Sequence, residues 1–198
     1  GKSILLHTVN QFVDAFADIN FVIVLPADYI QEGKDLIASS GLTQHVQFTA
    51  GGETRFQSVK NGLALVDPAS IVFVHDAVRC LLTHDLIQRC YQQALEKGSA
   101  IPAVASTDTI RITEGTKHHV VDRANVMMIQ TPQTFNAALL KKAFEQAYQP
   151  SFTDEANVLE ASGKEVYLIE GEYENIKITR PLDLAIAAYI LAKRASKD

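Results

Sequence analysis

Cysteine, basic charge and long apolar runs are all scarce in this chain. There are two cysteines, Cys80 and Cys90. They form no Cys-x-x-Cys pair, which excludes the usual thiolate metal sites, and both read as reduced thiols of a cytoplasmic protein. The six histidines make no metal site either, since His118 and His119 are neighbours and would point to opposite faces of a strand. The net charge is −5 and no basic stripe is visible, so nucleic acid is not expected as a partner. No apolar run reaches membrane-spanning length, and no charged-then-apolar leader is visible, so neither a membrane nor a secretory route is expected. Internal repeats and low-complexity tracts are absent. What remains is 198 residues of ordinary globular composition, enough for one domain, 1–198, with a sizeable core.

Short apolar strands alternate with amphipathic helices. Ser3 is placed to cap a helix whose buried stripe is Ile4, Leu5, Val9, Phe12, Val13 and Phe16. Strands are expected at 21–25, 46–49, 71–75, 100–104 and 166–170. Helices are expected at 29–39, 54–66, 137–147 and 154–161, with another capped by Thr83 and ended by Gly98. That helix would turn Leu86, Ile87, Cys90, Tyr91, Ala94 and Leu95 inward. Pro181 opens a last helix, where its missing N–H costs nothing. This βαβα rhythm predicts an α/β fold, a Rossmann-like, mainly parallel sheet with helices on both faces. The rhythm breaks at 107–131. Two strand-like pieces, 109–113 and 119–123, flank the polar turn Glu114, Gly115, Thr116, Lys117, which reads as a projecting β-hairpin arm suited to pairing with another subunit. Such sheets usually begin with a strand and a ligand-binding loop. Here a helix comes first, so a strand and loop ahead of it are expected.

The most informative stretch is Ile71–Val72–Phe73–Val74–His75–Asp76–Ala77–Val78–Arg79. A buried strand runs directly into an acid, and an arginine follows three residues later. Ligands of open α/β sheets bind at the carboxyl ends of strands, so Asp76 is placed to meet a divalent cation and Arg79 to grip a phosphate. A turn-capping aspartate beside a surface-paired arginine is the plainer alternative. Gly51–Gly52–Glu53–Thr54–Arg55–Phe56–Gln57–Ser58 leaves a strand and opens a helix. Its glycines let backbone N–H groups approach a ligand, and Ser58 is in reach of a base or ribose. A simple strand-to-helix turn would use the same residues. Asp108, Thr109, Arg123, Thr131 and Lys177 are further phosphate candidates. Thr153–Asp154–Glu155 is explained by helix capping alone.

Taken in order, several blocks resemble one family: Gly51 to Val59 with Gly62–Leu63, Val74 to Arg79, Asp108–Thr109–Ile110, Val121–Asp122–Arg123, Gln130 to Phe135, Thr153 to Ala156, Glu170–Gly171, and Asn175 to Pro181 with Asp183–Leu184. The set is similar to the 2-C-methyl-D-erythritol 4-phosphate cytidylyltransferases of the non-mevalonate isoprenoid pathway. That resemblance implies transfer of CMP from CTP to the polyol phosphate with magnesium, giving 4-diphosphocytidyl-2-C-methyl-D-erythritol and pyrophosphate. It implies a nucleotide pocket at Gly51, Gly52, Glu53 and Ser58, and Asp76 as metal ligand. Arg79, Thr109, Arg123, Thr131, Thr153 and Lys177 would surround the sugar phosphate, with Asp76, Arg79, Arg123 and Lys177 catalytic. It also implies a homodimer in which each arm, carrying Thr109 and Arg123, serves the other subunit's site. Two departures count. Cys80 stands where the family usually has proline, and the family's glycine-rich, basic triphosphate loop would precede the segment Gly1–Lys2–Ser3–Ile4–Leu5. Without that loop, weak CTP binding and little turnover are expected. The alternatives are a cytidylyltransferase for another polyol phosphate, such as ribitol 5-phosphate, or a non-catalytic nucleotide-binding protein.

Overall fold

Ser3 caps the first helix, α1 (Ile4–Ala15), its hydroxyl accepting the Leu6 N–H. The computed structural model describes residues 2–42 and 46–196; Gly1 lies outside them. There follow β1 (Phe21–Leu25), α2 (Ile30–Ser40), β2 (Val46–Ala50), α3 (Arg55–Ala64), β3 (Ile71–Val74), α4 (His84–Lys97) and β4 (Ser99–Ala105). The arm is β5 (Ile110–Glu114) and β6 (Lys117–Val121). Then come β7 (Met127–Ile129), β8 (Gln133–Asn136), α5 (Ala137–Ala143), α6 (Glu155–Ala161), β9 (Leu168–Glu170) and α7 (Pro181–Ala195). Thr83 caps α4 and Gly98 ends it at φ 86°, a left-handed position that suits glycine. Gly115 takes φ 61° in the tight turn that pairs Glu114 with Lys117.

The fold is α/β with helices on both faces. β1 pairs with β2, and β4 with β9, in parallel. β8 lies antiparallel between β3 and β4, so β3 and β4 share one direction, and β7 is antiparallel to β4. The common direction of β3, β4 and β9 is the predicted one; β7 and β8 are the reversed strands the helix-strand rhythm does not show. They are short and flank Thr131–Pro132, a cis peptide, so no run of period two stands out.

Each residue of β3 serves one of two cores. Ile71 and Phe73 pack toward α1 and α4, against Phe12, Leu86, Ile87 and Cys90. Val72 and Val74 face α3, α5 and α6, where Phe56 stacks on Phe144 at 4.7 Å beside Phe152. This alternation fixes the strand and delivers the next residues, His75 and Asp76, to its carboxyl end. Cys80 and Cys90 are both free and buried, and burial pushes the Cys90 thiol up to about 12. Leu95 departs from the expected inward stripe of α4: it is 53% exposed, at the margin of the opening described next.

No ladder joins β1 to β3 among the described residues. Between their facing edges runs a cavity of about 1230 Å³ with α1 residues Leu5, Val9 and Phe12 on one side and α3 residues Val59 and Leu63 on the other. It reaches from Phe21 and Ile71 at one end to Leu25, Gly51, Gly52 and Asp76 at the other.

Candidate active site

The site is built at the carboxyl ends of β1, β2 and β3. The Gly51 N–H donates to the Leu25 carbonyl at 2.8 Å, closing β2 onto β1. The Gly52 N–H donates to Ser58 Oγ at 3.0 Å, and the Ser58 hydroxyl donates to the Thr54 carbonyl at 2.9 Å. Ser58 therefore holds the turn as well as standing beside it. Thr54 caps α3. A Cβ at Gly52 would lie 2.1 Å from Gln57 Cγ, so the turn needs glycine there. Glu53 is exposed at its rim.

Asp76 is mostly buried and is ringed by cations. Lys177 Nζ is 3.1 Å and Arg79 Nε 3.5 Å from its Oδ2; Arg55 Nη1 is 3.7 Å from its Oδ1. Burial raises the Asp76 carboxyl, but the Lys177 hydrogen bond and the charges of Lys177, Arg55 and Arg79 outweigh it and hold the group below the ordinary carboxylate value. Arg79 is anchored from behind, donating to the Asn175 carbonyl at 2.8 Å.

The backbone under Asp76 is fixed by His75 and Thr131. The Asp76 N–H donates to Thr131 Oγ1 at 3.0 Å. His75 is half-buried at the edge of the cavity, and burial lowers it to about 4, so the ring is neutral. Its Nε2 sits 3.0 Å from the Arg79 carbonyl, which only accepts; Nε2 carries the proton, and Nδ1 accepts from the Thr131 hydroxyl at 3.0 Å. Thr131 is 5% exposed, and its hydroxyl is engaged within the protein rather than offered to a ligand.

The structure thus brings together Gly51, Gly52, Ser58, Asp76, Arg79, Thr131 and Lys177. Thr109 and Arg123 lie on the arm, both exposed. Arg123 donates to the Thr107 carbonyl at 3.1 Å and makes no ion pair with Asp76 among the described residues. Thr153 is exposed and its hydroxyl donates to Asn157 Oδ1 at 2.6 Å. Its turn is held near the site by Asp154, which caps α6, and by Gln133, whose amide bonds both Asp154 and the Ala156 N–H.

Two residues of this cluster, Arg55 and Glu155, are not singled out by a reading of the sequence. Glu155, in the first turn of α6, is 1% exposed, and its Oε2 accepts from Arg55 Nη2 at 2.7 Å. Arg55 so joins Glu155 to Asp76 from the first turn of α3. The one available signal was an acid in the first turn of α6, next to the capping Asp154, which capping already explained. Burial raises Glu155 to about 7 against the pull of Arg55. The folded state then holds its proton more tightly than the unfolded chain, so the stabilisation is complete below about pH 4.5 and is lost as pH rises through about 7. Glu155→Gln removes this loss. At pH 8 the variant should be more stable than the parent by on the order of 2 kcal/mol, with the difference vanishing near pH 4.5. Urea melts across that range check it; parallel pH profiles would refute the assignment.

The sequence matches the family described as IspD, 2-C-methyl-D-erythritol 4-phosphate cytidylyltransferase, over residues 1–193. The chain belongs to that family. It is 42% identical over 191 residues to the cytidylyltransferase of that name from Bacteroides thetaiotaomicron, covering 96% of this chain and 87% of the relative. The enzyme of the same name from Bacteroides fragilis is 40% identical with the same coverage. The crystal structure of Francisella tularensis 2-C-methyl-D-erythritol 4-phosphate cytidylyltransferase superposes with a TM-score of 0.79 at 30% identity, covering 96% of this chain and 88% of that one. The Asp76 cluster thus lies at the strand ends of a cytidylyltransferase-family fold.

Proposed function

We propose that this chain transfers CMP from CTP to 2-C-methyl-D-erythritol 4-phosphate. The observation that carries this reading is the Asp76 carboxylate ringed by Arg55, Arg79 and Lys177, beside the glycine turn at the head of α3. In the reaction a phosphate oxygen of the polyol phosphate attacks the α-phosphorus of CTP. The bond from that phosphorus to the oxygen bridging to the β-phosphate breaks, and pyrophosphate leaves. Charge crowds at the reacting phosphorus, so placement and cationic neutralisation supply the catalysis. Gly51, Gly52, Glu53 and Ser58 line the nucleotide side. Arg79 and Lys177 face the phosphates, with Thr153 at the sugar side and Thr131 and His75 holding Asp76 in place.

Asp76 suits magnesium, which is held by one or two carboxylates together with substrate phosphates. Its Oδ2 is held by Lys177, while among the described residues the one charged partner near Oδ1 is the more distant Arg55. Among the described residues no cluster of three acids, cysteines or histidines offers a metal site without substrate. When bound, the ion would neutralise phosphate charge.

The active form in this reading is a homodimer, with Thr109 and Arg123 serving the other copy's site. Exposed Ile112 and Val120 on the arm and Met127, Met128 and Ile129 on β7 support it, since they line apolar strand surface that pairing would cover. A preceding apolar strand is proposed to fill the cavity between β1 and β3. A strand entering from below, feeding α1 and returning as β1, makes the favoured right-handed crossover, and its loop would emerge beside Gly52 and Asp76. Among the described residues no helix is long and apolar enough to cross a membrane. The buried free thiols suit the cytoplasm.

The test is a panel of methylerythritol phosphate, ribitol 5-phosphate and erythritol 4-phosphate with CTP and magnesium, read by pyrophosphate release. Methylerythritol phosphate should exceed the others by at least about tenfold in kcat/KM. A preference for ribitol 5-phosphate would move the assignment to another polyol.

A further inference from the structure

Arg55 stands between two carboxylates and favours one. Its Nη2 lies 2.7 Å from Glu155 Oε2, while its Nη1 lies 3.7 Å from Asp76 Oδ1. Glu155 is buried and reaches no solvent-facing ligand position, whereas the Arg55 side chain is 39% exposed. Lys177 and Arg79 both approach Asp76 through Oδ2. Arg55 is thus the cation that borders the other oxygen.

We propose that Glu155 is a positioning residue that holds Arg55 off the Asp76 carboxylate and so keeps Asp76 Oδ1 open to a divalent cation arriving with the nucleotide. The proposal rests on the reading of Asp76 as the cation's carboxylate. A guanidinium pairs strongly with a carboxylate through two parallel N–H bonds. Released from Glu155, Arg55 would close the short distance to Asp76 and occupy the oxygen the metal needs. Glu155 is well suited to prevent this. It is set rigidly at the head of α6, whose N-terminus is pinned by Asp154 and Gln133. Asp154 is the other charged group adjoining Glu155, and it is engaged in that cap.

The experiment measures Mn²⁺ binding to the full chain with CTP by electron paramagnetic resonance, beside the magnesium dependence of transfer. Glu155→Gln keeps the shape and an acceptor for Arg55 but loses the charge. Its Mn²⁺ dissociation constant and half-saturating magnesium should both rise about tenfold, the scale of one unit charge acting across a partly exposed site. Excess magnesium should restore kcat. Arg55→Met should bind Mn²⁺ at least as tightly as the parent. The double variant Arg55→Met/Glu155→Gln should return to parental metal affinity, because there is no longer a guanidinium to restrain. A merely structural Glu155 would give a less stable protein with unchanged metal affinity, whereas Glu155→Gln is expected to be more stable at pH 8 and weaker for metal. Should Glu155→Gln fail to fold, Arg55→Met decides, and weaker Mn²⁺ binding there overturns the proposal. So does unchanged affinity in Glu155→Gln, or no Mn²⁺ binding by the parent with CTP. If the parent binds Mn²⁺ with CTP but transfers to no polyol phosphate, the substrate reading fails while the metal-site inference is still decided by the binding series.

Discussion

In the enzyme with its triphosphate loop in place, Asp76→Asn lowers magnesium-dependent transfer by about a thousandfold or more, the several kcal/mol that a metal-held phosphoryl charge is worth. The substitution keeps the shape of the side chain and leaves the Asp76 N–H bond to Thr131 untouched. It removes the negative charge on which Lys177, Arg79 and Arg55 converge. Those cations would then repel one another with no central counter-charge, and a divalent ion would meet a neutral amide. Steady-state kinetics on a variant whose circular dichroism and chevron slopes match the parent give the answer. Turnover within a few-fold of the parent would remove Asp76 from the mechanism.

Mixed dimers should recover activity that neither parent variant shows. Arg123→Ala removes a cation from the arm, and Asp76→Asn removes the carboxylate at the strand end; each is expected to be nearly inactive. If the arm of one copy completes the other's site, a heterodimer of the two variants has one site free of both lesions. Random exchange of equal amounts makes half the dimers mixed, so activity should return to about a quarter of the parent's. The geometry motivates this. Arg123 donates to the Thr107 carbonyl of its own arm and, among the described residues, makes no ion pair with Asp76. No recovery after exchange verified by mass spectrometry of differently tagged subunits would place Arg123 outside any shared site.

Much of the local structure was legible beforehand. Ser3, Thr83 and Thr54 cap helices because a short side-chain oxygen ahead of an apolar stripe has few better uses. The turn expected at Glu114 to Lys117 is present but tighter: Glu114 and Lys117 already pair in the strands, and only Gly115 and Thr116 turn. β7 and β8 were not legible. Gln133 and Thr134 are polar yet buried, paid for by Gln133's bonds to Asp154 and Ala156, and those partners lie about a helix and a loop away. Leu95 fits the apolar stripe of α4 by spacing, but its neighbours there are the cavity edges and not a packed strand.

The sequence by itself determined the α/β rhythm, the break at the arm, and the placing of Asp76 and Arg79 at the carboxyl end of a buried strand. Those features depend on neighbours a few residues away: periodicity sets which face is buried, and an acid after an apolar run can only emerge where the strand does. Tertiary structure decided that β8 inserts antiparallel between β3 and β4, that Thr131 turns its hydroxyl onto His75, and that Arg55 is shared between Asp76 and Glu155. Arg55 and Glu155 stand 100 residues apart along the chain. A charge so buried at the head of a helix is tolerable only opposite a partner that folding brings to it, and no local pattern encodes which partner that will be.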